Sequence, residues 1–248
     1  VTPPARGNLA VARETVARAR RIVVFSGAGM SAESGVPTFR DALTGMWERF
    51  DPEQLATPSA WQRDRALVWS WYAERAAAVR AVEPNDGHLA VAHLAERKQA
   101  EGSTVQVVTQ NVDDLHERSG SGPAIHLHGS LFAPRCERCG AGLPADRAAD
   151  PEIPACPACP GLIRPGVVWF GELLPTDAWA AAEDAFAAAD LVIVVGTSGV
   201  VHPAAGLPED AARRGVTVLE VNPEPSELRG ISVRLATTAA QGLPALLD

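Results

Sequence analysis

Six short apolar runs, each followed by a glycine, a proline or a polar residue, constrain this chain more than any other feature: Ile22–Phe25, Val105–Thr109, Ile125–His128, Val167–Phe170, Leu191–Gly196 and Val216–Asn222. A strand with one wet face alternates apolar and polar residues. A run that is apolar throughout is buried on both faces, as in a parallel sheet. Alanine-rich helical stretches flank several of the runs, at 9–20, Trp179–Ala189 and Ala204–Arg214. Strands alternating with helices predict an α/β fold, a Rossmann-like doubly wound parallel sheet with helices on both sides.

Two segments break this rhythm. Residues 36–90 continue a loop punctuated by Gly and Pro into a helix expected over Pro58–Val82, and residues 131–166 hold all four cysteines. The expected organisation is a large domain built from 1–35, 91–130 and 167–248, with a small domain formed by the insertions 36–90 and 131–166. No internal repeat is present.

The cysteines are spaced as Cys136-x2-Cys139 and Cys156-x2-Cys159, each pair on a tight turn. Such turns aim two thiolates at one point, and two of them complete a tetrahedron around a zinc ion. Four thiolates leave no open position, so the expected zinc is structural. Disulfides are the competing reading, as is a zinc ribbon that reads nucleic acid. Arg135, Arg138 and Arg147 lie on the knuckle, but no aromatic residue interleaves with them to stack bases.

After the first apolar run comes Gly27-Ala28-Gly29-Met30-Ser31-Ala32, a G-x-G-x-x-A pattern in the strand-to-turn context of a dinucleotide site. Gly27 makes the turn, Gly29 lets backbone approach a pyrophosphate, and the small Ala32 permits close helix packing. The next residues, Glu33 to Asp41, form a long loop, in which Arg40 could meet a phosphate and Phe39 could lie over a ring. A ribose-binding amide falls to Asn222, at the end of the last run.

The formal charge of −8 argues against a nucleic-acid partner. No apolar stretch approaches the roughly 18 residues that cross a bilayer, and residues 1–8 lack the apolar core of a secretory signal. A cytoplasmic protein without a membrane partner is expected. The oligomeric state is left open, and a monomer is compatible with the sequence.

Taken together, these motifs resemble those of the sirtuins. The matching stretches are Gly27–Arg40, Thr109-Gln110-Asn111-Val112-Asp113, His126-Leu127-His128-Gly129, Val168-Trp169-Phe170-Gly171-Glu172, Gly196-Thr197-Ser198 and Val221-Asn222, in family order along nearly the whole chain. The resemblance implies an enzyme that consumes NAD to remove acyl groups from protein lysines, giving nicotinamide and an O-acyl-ADP-ribose. In that chemistry the acyl oxygen attacks the ribose C1′, and His128 takes a proton from a ribose hydroxyl. Asn111 is the second implied catalytic residue. Gly27, Ala28, Gly29, Ala32, Phe39, Arg40, Gln110, Asn111, Asp113, Gly196, Thr197, Ser198 and Asn222 are implied to hold NAD. An unperturbed histidine, with a pKa of ~6.5, suits proton abstraction near neutrality. His126 lies on the same strand face as His128, and the glycine after His128 together with the motif favours the latter. Gly166 departs from the polar residue usual before Val167-Val168-Trp169-Phe170.

Val168, Phe170, Gly171, Glu172 and Val200 fall where the family grips acyl-lysine peptides or proteins as an added strand. Tyr72 and Arg75, three residues apart on an expected helix, share a face. They resemble the Tyr-x-x-Arg pair of the subgroup that accepts malonyl- and succinyl-lysine, with Ala56 leaving room in the same pocket. An arginine fork matches a terminal carboxylate. Mono-ADP-ribosyl transfer to protein and a non-catalytic NAD-sensing role are the alternatives.

Overall fold

The computed structural model describes residues 6–37 and 55–247, with side chains from Asn8 onward. The chain runs α1 (Arg6–Arg18), β1 (Arg21–Ser26), α2 (Pro58–Arg63), α3 (Arg65–Arg80), α4 (Asp86–Ala100), β2 (Thr104–Thr109), α5 (Leu115–Arg118), β3 (Ile125–His126), β4 (Arg135–Cys136), β5 (Ile163–Arg164), α6 (Thr176–Ala188), β6 (Leu191–Val195), α7 (Gly206–Arg213), β7 (Thr217–Val221), β8 (Val233–Leu235) and α8 (Ala239–Leu247).

Six strands form one sheet in the order β3-β2-β1-β6-β7-β8, and every pairing in it is parallel. In register, Val24 of β1 faces Val107 on one side and Ile193 on the other. Successive side chains on a strand point to opposite faces, and the core divides accordingly. Ile22, Val24, Ile193 and Leu219 pack with Ala12 and Val16 of α1, Val91 and Leu94 of α4, and Leu243 of α8. Val23, Phe25, Val192, Val194 and Val218 pack on the other face with Phe186 of α6 and Leu207 and Ala211 of α7. The doubly wound expectation holds, and the uninterrupted apolar runs are the direct consequence of burial on both faces.

β1 has β2 on one side and β6 on the other, so the strand order reverses there. Ligands of such sheets bind outside the carboxyl ends of the strands at this switch point. Here it lies between Ser26-Gly27 and Val195-Gly196.

A third core draws Trp61, Trp69, Trp71, Tyr72 and Val79 of α2 and α3 against Cys136, Ile163, Val167 and Trp169. β4 and β5 pair antiparallel within it. Several local expectations are corrected. Val167–Phe170 is not a sheet strand: only Val167 forms a bridge, antiparallel to Gly129, because the segment packs into the third core and turns at once. The backbone N–H of Glu172 closes that turn on Trp169 O at 3.0 Å. The helix expected over Pro58–Val82 is two helices. Asp64 is extended (φ −151°) and its carboxylate caps Leu67 N at 2.9 Å, which starts α3 afresh. α4 and β8 were not anticipated. No helix among the described residues is long and apolar enough to cross a membrane.

Candidate functional site

The switch point is built by two glycine loops lying against each other. Gly27 N donates to Val195 O at 2.9 Å, and Gly29 N to Gly196 O at 2.8 Å. A Cβ on Gly29 would stand 2.7 Å from Gly196 Cα, and one on Gly196 (φ +59°) would stand 2.4 Å from Met30 N. The glycines are therefore required first by loop-to-loop contact, a reason different from the approach to a pyrophosphate anticipated for Gly29. The loop continues as two 3-10 turns, Ala28–Met30 and Ala32–Ser34, rather than as an α-helix. Ala28 is half-buried and Ala32 is exposed, so the close helix packing expected of Ala32 is not seen. Asn85, the N-cap of α4, ties the turns down through Nδ2, which donates to Met30 O at 2.9 Å and Ser34 Oγ at 3.1 Å. Phe39 and Arg40 lie outside the described residues.

On the facing loop, Thr197 Oγ1 accepts from Gln110 Nε2 at 2.9 Å, and Thr197 O accepts from Asn222 Nδ2 at 2.8 Å. Ser198 O accepts from Glu227 N at 2.8 Å. Gln110, Thr197 and Asn222, which lie far apart in sequence, thus form one rim. Below it, Asn111 Nδ2 donates to Ser31 Oγ at 3.2 Å, and Ser31 Oγ donates to Asp113 Oδ2 at 2.9 Å. Burial pushes the Asp113 carboxyl up, against the opposing pull of Leu115 N and Ser31. Deeper still, Ser26 Oγ donates to Thr109 Oγ1 at 2.8 Å and meets His116 Nε2 at 2.9 Å. Burial drives His116 down to about 4 and His88, whose ring lies 5.0 Å away, down to about 3. Both are neutral at pH 7. Sequence reasoning assigned no site role to Ser31 or Asn85, although Ser31 sits inside the quoted glycine motif.

The run Ile125–His128 is a strand only over Ile125–His126, and His128 lies in the turn that follows, so the two histidines do not share a strand face as expected. His126 meets Asn111 O through Nδ1 (3.0 Å) and Glu117 Oε1 through Nε2 (2.9 Å). Both partners are acceptors, so both ring nitrogens are spent. Burial alone would lower its pKa, but Glu117 outweighs burial and the net direction is up. His128 meets Gln110 O through Nδ1 at 3.0 Å. A carbonyl only accepts, so Nδ1 carries the proton, and among the described residues the Nε2 lone pair meets no partner. Burial lowers the His128 pKa, partly offset by that carbonyl. Gly129 (φ +72°) follows, and a Cβ on it would stand 2.3 Å from Gly166 O. Its smallness serves the crossing of two backbones. A second close approach, to the Ser130–Ala133 turn, accounts for Gly166, where a Cβ would stand 2.0 Å from Ala133 O.

Tyr72 and Arg75 do share a face of α3. Tyr72 stacks edge-on against Trp71 at 4.6 Å, and the Arg75 guanidinium lies 5.1 Å from the Trp71 ring centre. Burial raises the Tyr72 phenol and lowers Arg75. Among the described residues, the buried Arg75 Nε has no hydrogen-bond partner. Ala56 O accepts from Phe170 N at 2.9 Å, and Val168 N donates to His128 O at 2.8 Å. Phe170 and Val200 are exposed, 47% and 40% respectively, as is Gly171. Both Glu172 carboxylate oxygens are engaged by Arg164.

The four cysteine Sγ atoms lie within 4.8 Å of one another, with Cys136–Cys159 and Cys139–Cys156 each at 3.6 Å. A zinc tetrahedron with bonds near 2.3 Å has edges of about 3.8 Å. The cluster therefore fits one structural zinc.

A parallel sheet whose switch point joins a glycine loop, an amide-rich rim and an imidazole, with a four-thiolate lobe beside it, defines a Rossmann-like nucleotide-binding protein with an inserted metal lobe. Within that class, the chain belongs to the Sir2 family, whose pattern matches residues 27–203. It is 53% identical over 235 residues to an "NAD-dependent protein deacylase" of Mycobacterium tuberculosis, covering 92% of this chain and 97% of that one. It superposes on a Sir2 homolog–NAD complex with a TM-score of 0.88 at 44% identity, covering 95% of this chain and 91% of the other. A mutant Sir2 homologue bound to 2′-O-acetyl ADP-ribose gives 0.87 at 44% identity, covering 95% and 93%.

Proposed function

We propose that this chain is an NAD-dependent protein-lysine deacylase that moves the acyl group onto ADP-ribose and releases nicotinamide. The observation that carries the reading is the contact of His128 Nδ1 with Gln110 O, which fixes the tautomer and, among the described residues, leaves Nε2 without a partner. NAD supplies the ribose electrophile when bound. The loop at Gly27, Ala28, Gly29 and Ala32 and the rim formed by Gln110, Gly196, Thr197, Ser198 and Asn222 hold it, with Phe39 and Arg40 assigned by resemblance alone. Asn111 and Asp113, locked through Ser31, orient the nicotinamide end. His128 Nε2 then removes a proton from a ribose hydroxyl. Relatives named as deacylases and a homologue bound to 2′-O-acetyl ADP-ribose support the same chemistry.

The acyl-lysine of a protein enters along Val168, Phe170, Gly171 and Val200, with its acyl group toward Ala56, Tyr72 and Arg75. Among the described residues the buried Arg75 Nε has no hydrogen-bond partner, which supports acidic acyl groups as substrates. A carboxylate would satisfy a cation set against the Trp71 ring and stabilised from a distance by Asp113. We assign the small lobe to 36–90 and 131–166 and the large lobe to 1–35, 91–130 and 167–248. The third core supports the pairing of the two insertions, with Val167 and Trp169 joining it from the large lobe, while α4 runs across the 90/91 boundary. Thiols arranged as metal ligands fit a reducing compartment, and we place the protein in the cytoplasm.

The test is mass spectrometry of the products from NAD with succinyl, malonyl and acetyl versions of one peptide. O-acyl-ADP-ribose should appear with all three, and Arg75→Met should depress the two acidic substrates at least tenfold more than acetyl. Equal loss of all three would refute the pocket assignment. ADP-ribose label fixed on unmodified protein, without O-acyl-ADP-ribose, would favour the transferase alternative.

A further inference from the structure

Arg164 carries no role so far, yet its guanidinium is engaged on several sides. Nη1 donates to Glu172 Oε1 at 2.5 Å, Nη2 to Glu172 Oε2 at 2.9 Å and to Val167 O at 3.0 Å, and Nε to Pro165 O at 3.3 Å. Its carbon lies 3.5 Å from the ring centre of Trp169. The pair is bidentate and largely buried, with side-chain exposures of 11% and 23%, which separates it from the solvated ion pairs that contribute little.

Glu172 accepts in turn from Trp169 N at 2.9 Å. The pair therefore fixes the turn 169–172 from both ends, and that turn displays Phe170 and Gly171 at the groove. On its inner side Trp169 is packed against Trp61, with centroids 5.8 Å apart, and the Tyr72 phenol feels both Trp169 and the Arg164–Glu172 charges.

At its other end Arg164 belongs to the cysteine lobe. It sits on β5 directly opposite Arg135, whose neighbour Cys136 pairs with Ile163. A second tie runs parallel to the first: Trp61 Nε1 donates to Glu137 Oε2 at 2.7 Å, and Glu137 lies within the first cysteine turn.

We infer that Arg164 is a positioning residue for acyl-lysine binding: its clamp on Glu172 holds the 169–172 turn as a wall of the substrate groove and couples that wall to the cysteine lobe. Glu172 then acts through the shape of the groove, because its carboxylate is already occupied. The inference rests on the placement of the substrate groove proposed above.

Binding of a fluorescein-labelled acyl-lysine peptide, followed by anisotropy, tests it alongside NAD affinity and zinc content. Arg164→Met should weaken the peptide about tenfold while NAD affinity and the zinc-to-protein ratio stay within twofold. Arg164→Lys should recover part of the loss, and Glu172→Gln should weaken the peptide comparably. Adding Glu172→Gln to Arg164→Met should cost little more, since both break one clamp. If Arg164→Met does not fold, Glu172→Gln decides alone. Unchanged peptide affinity would overturn the inference. So would parallel loss of peptide, NAD and zinc, which marks general collapse of the lobe. Peptide binding by the wild type without turnover would contradict the deacylase reading and leave the groove standing.

Discussion

At the scale of single residues, hydrogen-bond partners as well as position distinguish His128, in the turn after β3, from His126 on the strand. His126 has an acceptor at each ring nitrogen, and Glu117 raises its pKa. His128 has one acceptor among the described residues, and burial lowers its pKa. A base works only when neutral. A lowered pKa keeps His128 neutral to more acid pH, so activity should persist as pH falls and be lost only on passing through the depressed value. The acid limb of the kcat/KM profile should therefore lie below 6.5, where an unperturbed imidazole titrates. A limb above 6.5 would point to a group like His126, whose shift has the opposite sign. Arg75 shows a comparable dependence on context. The sequence spacing put it beside Tyr72, but the stacking on Trp71, and an Nε without a hydrogen-bond partner among the described residues, belong to the packed lobe.

At the scale of elements, what the sequence disclosed follows burial. The central strands read clearly because both faces are packed. β8 did not, because Val233-Arg234-Leu235 is three residues long at a sheet edge with an exposed arginine between two apolar neighbours. α4 opens with a capping box closed by the His88 ring, where a glutamate or glutamine is the recognisable sign. The Val167–Phe170 run looked like a strand because apolar residues in a small aromatic core read the same as those in a sheet. The cysteine cluster was legible from its two x2 spacings alone. The Arg164–Glu172 clamp was not, since no repeat of helix or strand brings those two positions together. The glycine loops test the element directly. Gly29→Ala must push against Gly196 backbone at 2.7 Å, an overpacking worth about 1–3 kcal/mol. Thermal denaturation should show a lower Tm, and NAD affinity should fall at least tenfold. Wild-type values for both would mean that the two loops are not in the contact described.

For the whole molecule, the division of labour follows the three cores. The sheet and its two flanking cores set the glycine loop, the amide rim and His128 at one switch point. The third core holds Tyr72, Arg75 and the 169–172 turn against the cysteine lobe. Catalysis needs the two to meet, and they do so where His128 O accepts from Val168 N and Gly129 crosses Gly166. At that meeting point His128 Nε2 is proposed as the base that commits the acyl group to ADP-ribose. Its most direct test is the rate of O-acyl-ADP-ribose formation by His128→Ala, measured by mass spectrometry on protein shown to retain NAD binding and zinc. The rate should fall by roughly 10²–10⁴, the usual contribution of a positioned base. Turnover equal to that of the wild type would mean that His128 is not the base.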